Sequence, residues 1–281
     1  MYKFINTLLN IILCIFIPYA LVSLAIRHYG LGMGLGVMIL ICVALFLYLK
    51  PRIYTIIGRR KYFEDHEAGF KWLEKAYDTG RMSAQQSLIY AYLLIRDGEI
   101  AKAERLITSV IHQKKDKLTK QNLLAADLNI AIIRWKQNNL DAAIKKMEEV
   151  YAEGYRSTVH YGTLGIFYIL NNQLDRAEEF CLEAFDYNPG DASIRDNLGL
   201  VYMEKGDTDK AKEIYDALFE ETEPNFIEAF YNYARVLEAK GDYQKAVEYY
   251  QKAMGCPEKY LSTVKMSQVE YALSRAEERI F

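Results

Sequence analysis

Hydrophobic and polar positions follow two different regimes along this chain. From Ile5 to Ile26 the only ionisable side chains are Cys14 and Tyr19. Twenty-two helical residues rise about 33 Å, enough to cross the hydrocarbon core of a bilayer. A second uncharged stretch of twenty residues runs from Gly30 to Leu49, and only Arg27, His28 and Tyr29 separate the two. Backbone amides in lipid must be satisfied internally, so the pattern predicts an antiparallel pair of transmembrane helices over residues 1–50 with both ends on one side. A rival reading takes the first span as a signal peptide cleaved after Ser23-Leu24-Ala25.

Beyond a short basic linker at 51–61 the pattern becomes amphipathic and repetitive. The segments LDAAIKKMEEVY, LDRAEEFCLEAF, TDKAKEIYDALF and YQKAVEYYQKAM align on Ala143, Ala177, Ala211 and Ala246, at spacings of 34, 34 and 35. Ala103 lies 40 residues upstream of Ala143, and Gly69 lies 34 before that. A fixed period of this size is the mark of a solenoid. Each unit reads as a helical hairpin, with a small residue in each helix to permit close crossing. The turns RDGEI, KQNNL, LNNQL, EKGDT and AKGDY carry Gly or Asn, which accept the positive φ that ends a helix. Pro189, Pro224 and Pro257 punctuate the ends of second helices, and Asp141, Asp175, Asp207 and Asp209 stand at helix starts, where carboxylates cap amides.

The residues around these anchors resemble a tetratricopeptide repeat: Leu198, Gly199, Tyr202, Gly206, Ala211, Tyr215 and Pro224 in one unit; Leu164, Gly165, Tyr168, Ala177, Ala184 and Pro189 in the unit before; Tyr233, Ala234, Gly241, Ala246, Tyr250 and Ala253 in the unit after. Ala91 and Ala131 replace the first-helix Gly in the units at 84–123 and 124–157. The resemblance implies an all-α chain: a transmembrane helical hairpin, then a right-handed α-solenoid over 62–281 with repeats near 84–123, 124–157, 158–191, 192–226 and 227–260. Residues 62–80 fit only a second helix, whose partner is either missing or the chain leaving the membrane. The segment 261–281, with Leu261, Val264, Tyr271, Leu273, Ala276 and Ile280 on one amphipathic face, is expected as the carboxyl-terminal cap.

Charge sharpens the picture. The formal net charge is −2, but the first 61 residues hold seven basic side chains and no acidic one, leaving −9 for the remaining 220. The acidic body argues against nucleic-acid binding. Lys50, Arg52, Arg59, Arg60 and Lys61 at the exit of the second span place residues 50 onward in the cytoplasm by the positive-inside rule. The expected location is therefore a membrane, multi-pass, of the bacterial cytoplasmic type. Gly30, Gly32, Gly34 and Gly36 offer a packing face; its partner is either the first span of the same chain or a second copy, which leaves a homo-oligomer open.

Chemistry is sparse. The four cysteines at 14, 42, 181 and 256 form no CxxC pair, and His28, His66, His112 and His160 are scattered, so no metal or cofactor site is expected. The layout is similar to membrane-anchored tetratricopeptide proteins that regulate lipopolysaccharide assembly and end in a rubredoxin-like CxxC pair; this chain ends without one. No nucleophile elbow, Walker loop or carboxylate pair stands out, so no enzyme activity and no small-molecule substrate are expected. The lysine-rich insertion with Lys114, Lys115, Lys117 and Lys120 reads either as a solvated loop or as a contact for anionic groups.

Repeats of this kind present their first helices to a ligand, and here those faces are apolar: Leu88, Tyr92, Leu128, Ile132, Trp135, Ile166, Ile169, Leu200 and Met203. Where relatives that grip chaperone tails place Lys, Asn and Arg, this chain has Gly162, Asp196 and Glu228. The expected function is a membrane-anchored cytoplasmic scaffold that binds another protein or peptide in an apolar concave groove. The alternative is a non-catalytic subunit of an envelope-assembly or secretion complex in which the hairpin carries recognition. The groove residues have a competing role: they fill the superhelix interior or meet the carboxyl-terminal helix folded back.

Overall fold

The structure, a computed structural model, describes residues 16–113 and 118–280. Most of the first span, including Asn6, Thr7, Asn10 and Cys14, lies outside the described residues, as do Lys114, Lys115 and Lys117. Among the described residues there are fourteen helices and no strand: α1 (Ile17–Tyr29), α2 (Leu31–Tyr62), α3 (His66–Asp78), α4 (Ala84–Arg96), α5 (Ile100–Gln113), α6 (Lys120–Lys136), α7 (Leu140–Ala152), α8 (Thr158–Leu170), α9 (Leu174–Tyr187), α10 (Ala192–Glu204), α11 (Thr208–Glu221), α12 (Ile227–Ala239), α13 (Tyr243–Met254) and α14 (Met266–Glu277). The chain divides into two compact units between Gln86 and Ser87.

In the first unit, α1 folds back on α2 across Gly30, whose φ of 87° only glycine adopts freely. Gly34 is where the two helices meet: a Cβ there would lie 2.1 Å from Ile26 Cγ1. Nothing lies within 4 Å of a Cβ on Gly32 or Gly36. Helix α2 runs 32 residues without a break, so the stretch expected as a linker at 51–61 lies inside it. Pro51 does not end the helix, because the carbonyl it leaves without a partner, that of Leu47, accepts a 2.7 Å bond from the Arg81 guanidinium. The carboxyl-terminal part of α2 packs against α3, with Gly58 against Leu73 and Gly69 against the Tyr62 backbone. The missing partner of the 62–80 helix is thus the chain continuing from the apolar stretch.

In the second unit, α4 to α13 form five helical hairpins and α14 packs on α13. All five intra-hairpin turns take the positive φ expected of them, at Gly98, Asn138, Asn172, Gly206 and Gly241. Close crossing at the small positions is visible where a Cβ on Gly199 would stand 2.6 Å from Tyr215 and one on Gly165 3.1 Å from the Cys181 sulfur. The anchors Ala103, Ala143, Ala177, Ala211 and Ala246 are fully buried.

Two local expectations change. Of the four aspartates taken as caps, only Asp207 caps a helix, accepting from the Lys210 amide. Asp141, Asp175 and Asp209 sit in the first helical turn and reach forward to the next repeat, to Asn171, Lys205 and Lys240. Their side chains point outward from the helix start and so meet the chain that ends the neighbouring first helix. The cap helix begins at Met266; Val269, Ala272 and Ala276 are its buried face, whereas Tyr271 is exposed and Leu261 lies in the preceding loop.

Candidate functional site

The first helices of the second unit stack through a recurring amide. Asn129 Nδ2 donates to the Leu88 carbonyl at 3.1 Å, Asn197 Nδ2 to the Gly162 carbonyl at 2.8 Å and Asn232 Nδ2 to the Asp196 carboxylate at 3.1 Å. These asparagines recur in the repeat register, with Thr163 at the remaining place, and that period is the signal from which the ladder can be read in sequence. The bonds join α4 to α6, α8 to α10 and α10 to α12, and between α6 and α8 the Trp135 and Phe167 rings meet at 5.1 Å, so that the five first helices form one wall.

That wall encloses a cavity of about 170 Å³, lined on the apolar side by Tyr92, Ile132, Trp135, Ile166, Phe167 and Phe226. Thr163, Ser193, Asp196, Asn197 and Glu228 add polar groups to the lining. Tyr92, Ile132, Trp135 and Ile166 are thereby brought together out of the nine positions read from the first helices. Leu88, Leu128, Ile169 and Leu200 are buried in the helix packing, and Met203, partly exposed, does not line the cavity.

Asp196, 4% exposed, accepts at 2.8 Å from the Tyr215 hydroxyl as well as from Asn232. Burial pushes its carboxyl up to about 7; the two hydrogen bonds oppose this and the nearby Glu228 charge reinforces it. The cation beside the cavity is Lys136, whose ammonium stands 4.0 Å from the Trp135 ring centre and 4.9 Å from that of Tyr260. Burial lowers its pKa to about 8, helped by repulsion from Lys265 and opposed by Glu228 and Glu258.

The remaining wall comes from the loop between α13 and α14, which periodic reading does not reach. Leu261 and Thr263 line the cavity. The Ser262 amide donates to the Lys259 carbonyl at 2.9 Å, closing a turn with Tyr260 and Leu261 at its tip. The Thr263 amide donates to Glu228 Oε1 at 2.7 Å. On the other flank of this turn a shallower space of about 660 Å³ is bounded by Trp135, Lys136, Asn138, Leu170 and the loop itself. This part of the lining is therefore supplied by the loop before the terminal helix, not by the helix.

Other chemistry-bearing residues stay apart. His160 is fully buried, Nε2 3.0 Å from the Met147 carbonyl and Nδ1 3.2 Å from that of Tyr155, and burial holds its pKa down. Cys181 is buried and its thiol pushed up to about 12 by desolvation, the opposite of what a reactive cysteine needs. Among the described residues no cluster of His, Cys, Asp and Glu is arranged to hold a metal.

The sequence profile of the tetratricopeptide repeat matches residues 128–192 and 197–258. The helical hairpins of those two stretches match the tetratricopeptide repeat. Solved structures agree on the fold. A tetratricopeptide repeat protein from Parabacteroides merdae superposes with a TM-score of 0.59 at 13% identity, over 92% of this chain and 98% of that one. The thermophilic TPR protein TTC0263 of Thermus thermophilus gives 0.53 at 20% identity, over 70% of this chain and 100% of its own. PilF of Pseudomonas aeruginosa gives 0.52 at 16%, over 70% and 85%. No curated protein matches the chain. Stacked helical repeats build extended concave surfaces, so the stacked first helices are the surface to consider for a partner.

Proposed function

We propose that this chain is a membrane-anchored tetratricopeptide scaffold whose cytoplasmic repeats hold a protein partner beside the bilayer through the concave wall of their first helices. The observation that carries the reading is the cavity walled by Tyr92, Ile132, Trp135 and Ile166 with polar groups in its lining. Apolar walls supply affinity through buried area, and a few fixed polar groups orient what enters. No catalytic role enters this reading.

The anchor is supported by α2, the one described helix long and apolar enough to cross a membrane. At 1.5 Å per residue its 32 residues extend about 48 Å, well over the roughly 30 Å of hydrocarbon, so its basic end projects beyond the core. Leu31, Met33, Leu35, Met38, Ile39, Leu40, Val43 and Phe46 are exposed along it, an apolar surface that lipid would cover. Arg52, Arg59, Arg60 and Lys61 follow and favour a cytoplasmic body. A second reading, a subunit of a larger membrane complex recognised through its hairpin, draws on the open faces at Gly32 and Gly36.

The test is partner recovery by the tagged full-length chain with and without Trp135→Glu. Trp135 is partly exposed, whereas Ile132, 2% exposed, is a packing position at which Glu would unfold the repeat. Loss of the partners by a variant of unchanged helicity is the expected result. Retention of every partner removes the groove from consideration, and retention lost only on disrupting the hairpin selects the second reading.

A further inference from the structure

The loop that closes the groove is seated there at a cost. Tyr260 at the tip of the turn lies across the Gly98 backbone, so closely that a Cβ on Gly98 would stand 3.0 Å from its ring, yet the tyrosine remains 39% exposed. Its ring stands 4.9 Å from the Lys136 ammonium, and Lys265 at the end of the loop brings a like charge toward that lysine. Leu261 lines the cavity without filling it. A segment selected only to join two helices would gain nothing from such contacts. The flanks, by contrast, are firm. Ser262 and Val264 are buried. Glu258 ties the base, accepting from the Met266 amide at 2.8 Å and pairing with Lys265 at 2.9 Å. The turn is thus a part-exposed tip on a base held by hydrogen bonds and burial.

Resting on the reading of the groove as the recognition site, we infer that the Lys259–Ser262 turn is a built-in occupant of the groove, which a partner displaces by offering the same chemistry: an aromatic and an aliphatic side chain at adjacent positions, followed by a backbone N–H for Glu228. Each element has its receptor on the wall. The Gly98 turn and Lys136 take the aromatic ring, Ile132 and Trp135 face the aliphatic one, and the Glu228 carboxylate takes the amide that Thr263 now supplies. Because the cavity under Leu261 is incompletely filled, a partner with a larger side chain there gains contact that the internal segment lacks. A site closed most of the time binds in proportion to the fraction open, so occupancy in cis lowers apparent affinity by that fraction.

The experiment uses the full-length chain in detergent micelles, carrying Trp72→Phe so that Trp135 is the single tryptophan. The probe is a fluorescein-labelled synthetic peptide of residues 257–265. Emptying the turn with Tyr260→Ser and Leu261→Ser is expected to tighten peptide binding by at least about tenfold over the parent, with a shift in Trp135 emission on binding. The same peptide carrying Glu in place of its leucine should not bind. Glu258→Gln loosens the base while leaving the tip intact, and an intermediate gain is expected from it, so the inference stays testable if the double variant does not fold. Equal peptide affinity in parent, emptied and loosened chains overturns it. Peptide binding that survives Trp135→Glu in the emptied chain shows that the groove is not the site and overturns the functional reading as well. Partner loss on Trp135→Glu with no effect of emptying the turn overturns the built-in occupant alone.

Discussion

Asp196 joins the lining of the cavity to the packing of three helices, since it accepts from Tyr215 on α11 and Asn232 on α12. Its folded pKa of about 7 stands above the ordinary 3.8. The group's contribution to stability is therefore fully present below about 3.8 and is lost as pH rises through about 7, by an amount on the order of 4 kcal/mol. Asp196→Asn keeps an acceptor for both donors and removes the charge. Urea titrations should find the variant more stable than the parent, with a gap that widens between pH 5 and pH 8; a constant gap would show that Asp196 does not titrate in this range. Lys136 behaves in the opposite sense. Its folded pKa of about 8 lies below the ordinary 10.5, so its penalty is complete below 8 and is relieved as pH climbs toward 10.5. Lys136→Met should raise the melting temperature at pH 7 and abolish the gain that the parent shows between pH 8 and 10. Tyr92, Ile132, Trp135 and Ile166 are legible in sequence because the 34-residue register assigns them to one helix face. Asp196 is legible as a residue at the ligand-facing position. Its raised pKa is not, because that comes from burial under helices that arrive later in the chain, against the opposing hydrogen bonds of Tyr215 and Asn232.

At the scale of helices, the tight positions define where a methyl group cannot be added. Gly199→Ala drives a Cβ to 2.6 Å from the fully buried Tyr215 ring, and Gly165→Ala brings one to 3.1 Å from Cys181 Sγ, a softer neighbour. Overpacking should cost about 1–3 kcal/mol at Gly199 and clearly less at Gly165, measured by chemical denaturation. Helix α2 supports a second prediction. Arg81→Ala leaves the Leu47 carbonyl without its donor, while Pro51→Ala supplies the missing amide from within the helix. A double-mutant cycle in detergent should give about 1 kcal/mol of coupling, with Arg81→Ala harmless once Pro51 is gone. Helix types and turns were legible throughout, since Gly98, Asn138, Asn172, Gly206 and Gly241 announce the positive φ they adopt. The length of α2 was not: Pro51 followed by basic residues reads as a break, and the Arg81 contact that tolerates it is 34 residues away.

For the whole molecule, periodicity described what repeats and was silent on what occurs once. The loop bearing Tyr260 and Leu261 has no counterpart in earlier units, so alignment treats it as a spacer between the last hairpin and its cap. A linear array of hairpins touches only nearest neighbours and loses its end units one at a time on unfolding. The contact between Tyr260 and Gly98 ties the final unit to the first hairpin of the same compact body, 162 positions apart in sequence. Such a clasp turns an open row into a closed circuit. The contact couples the two ends while it is made, so Tyr260→Ala should broaden the melting transition and lower the denaturant m value. The clasp also closes a loop of 162 positions, so it is among the contacts that cost the chain most entropy to form in folding.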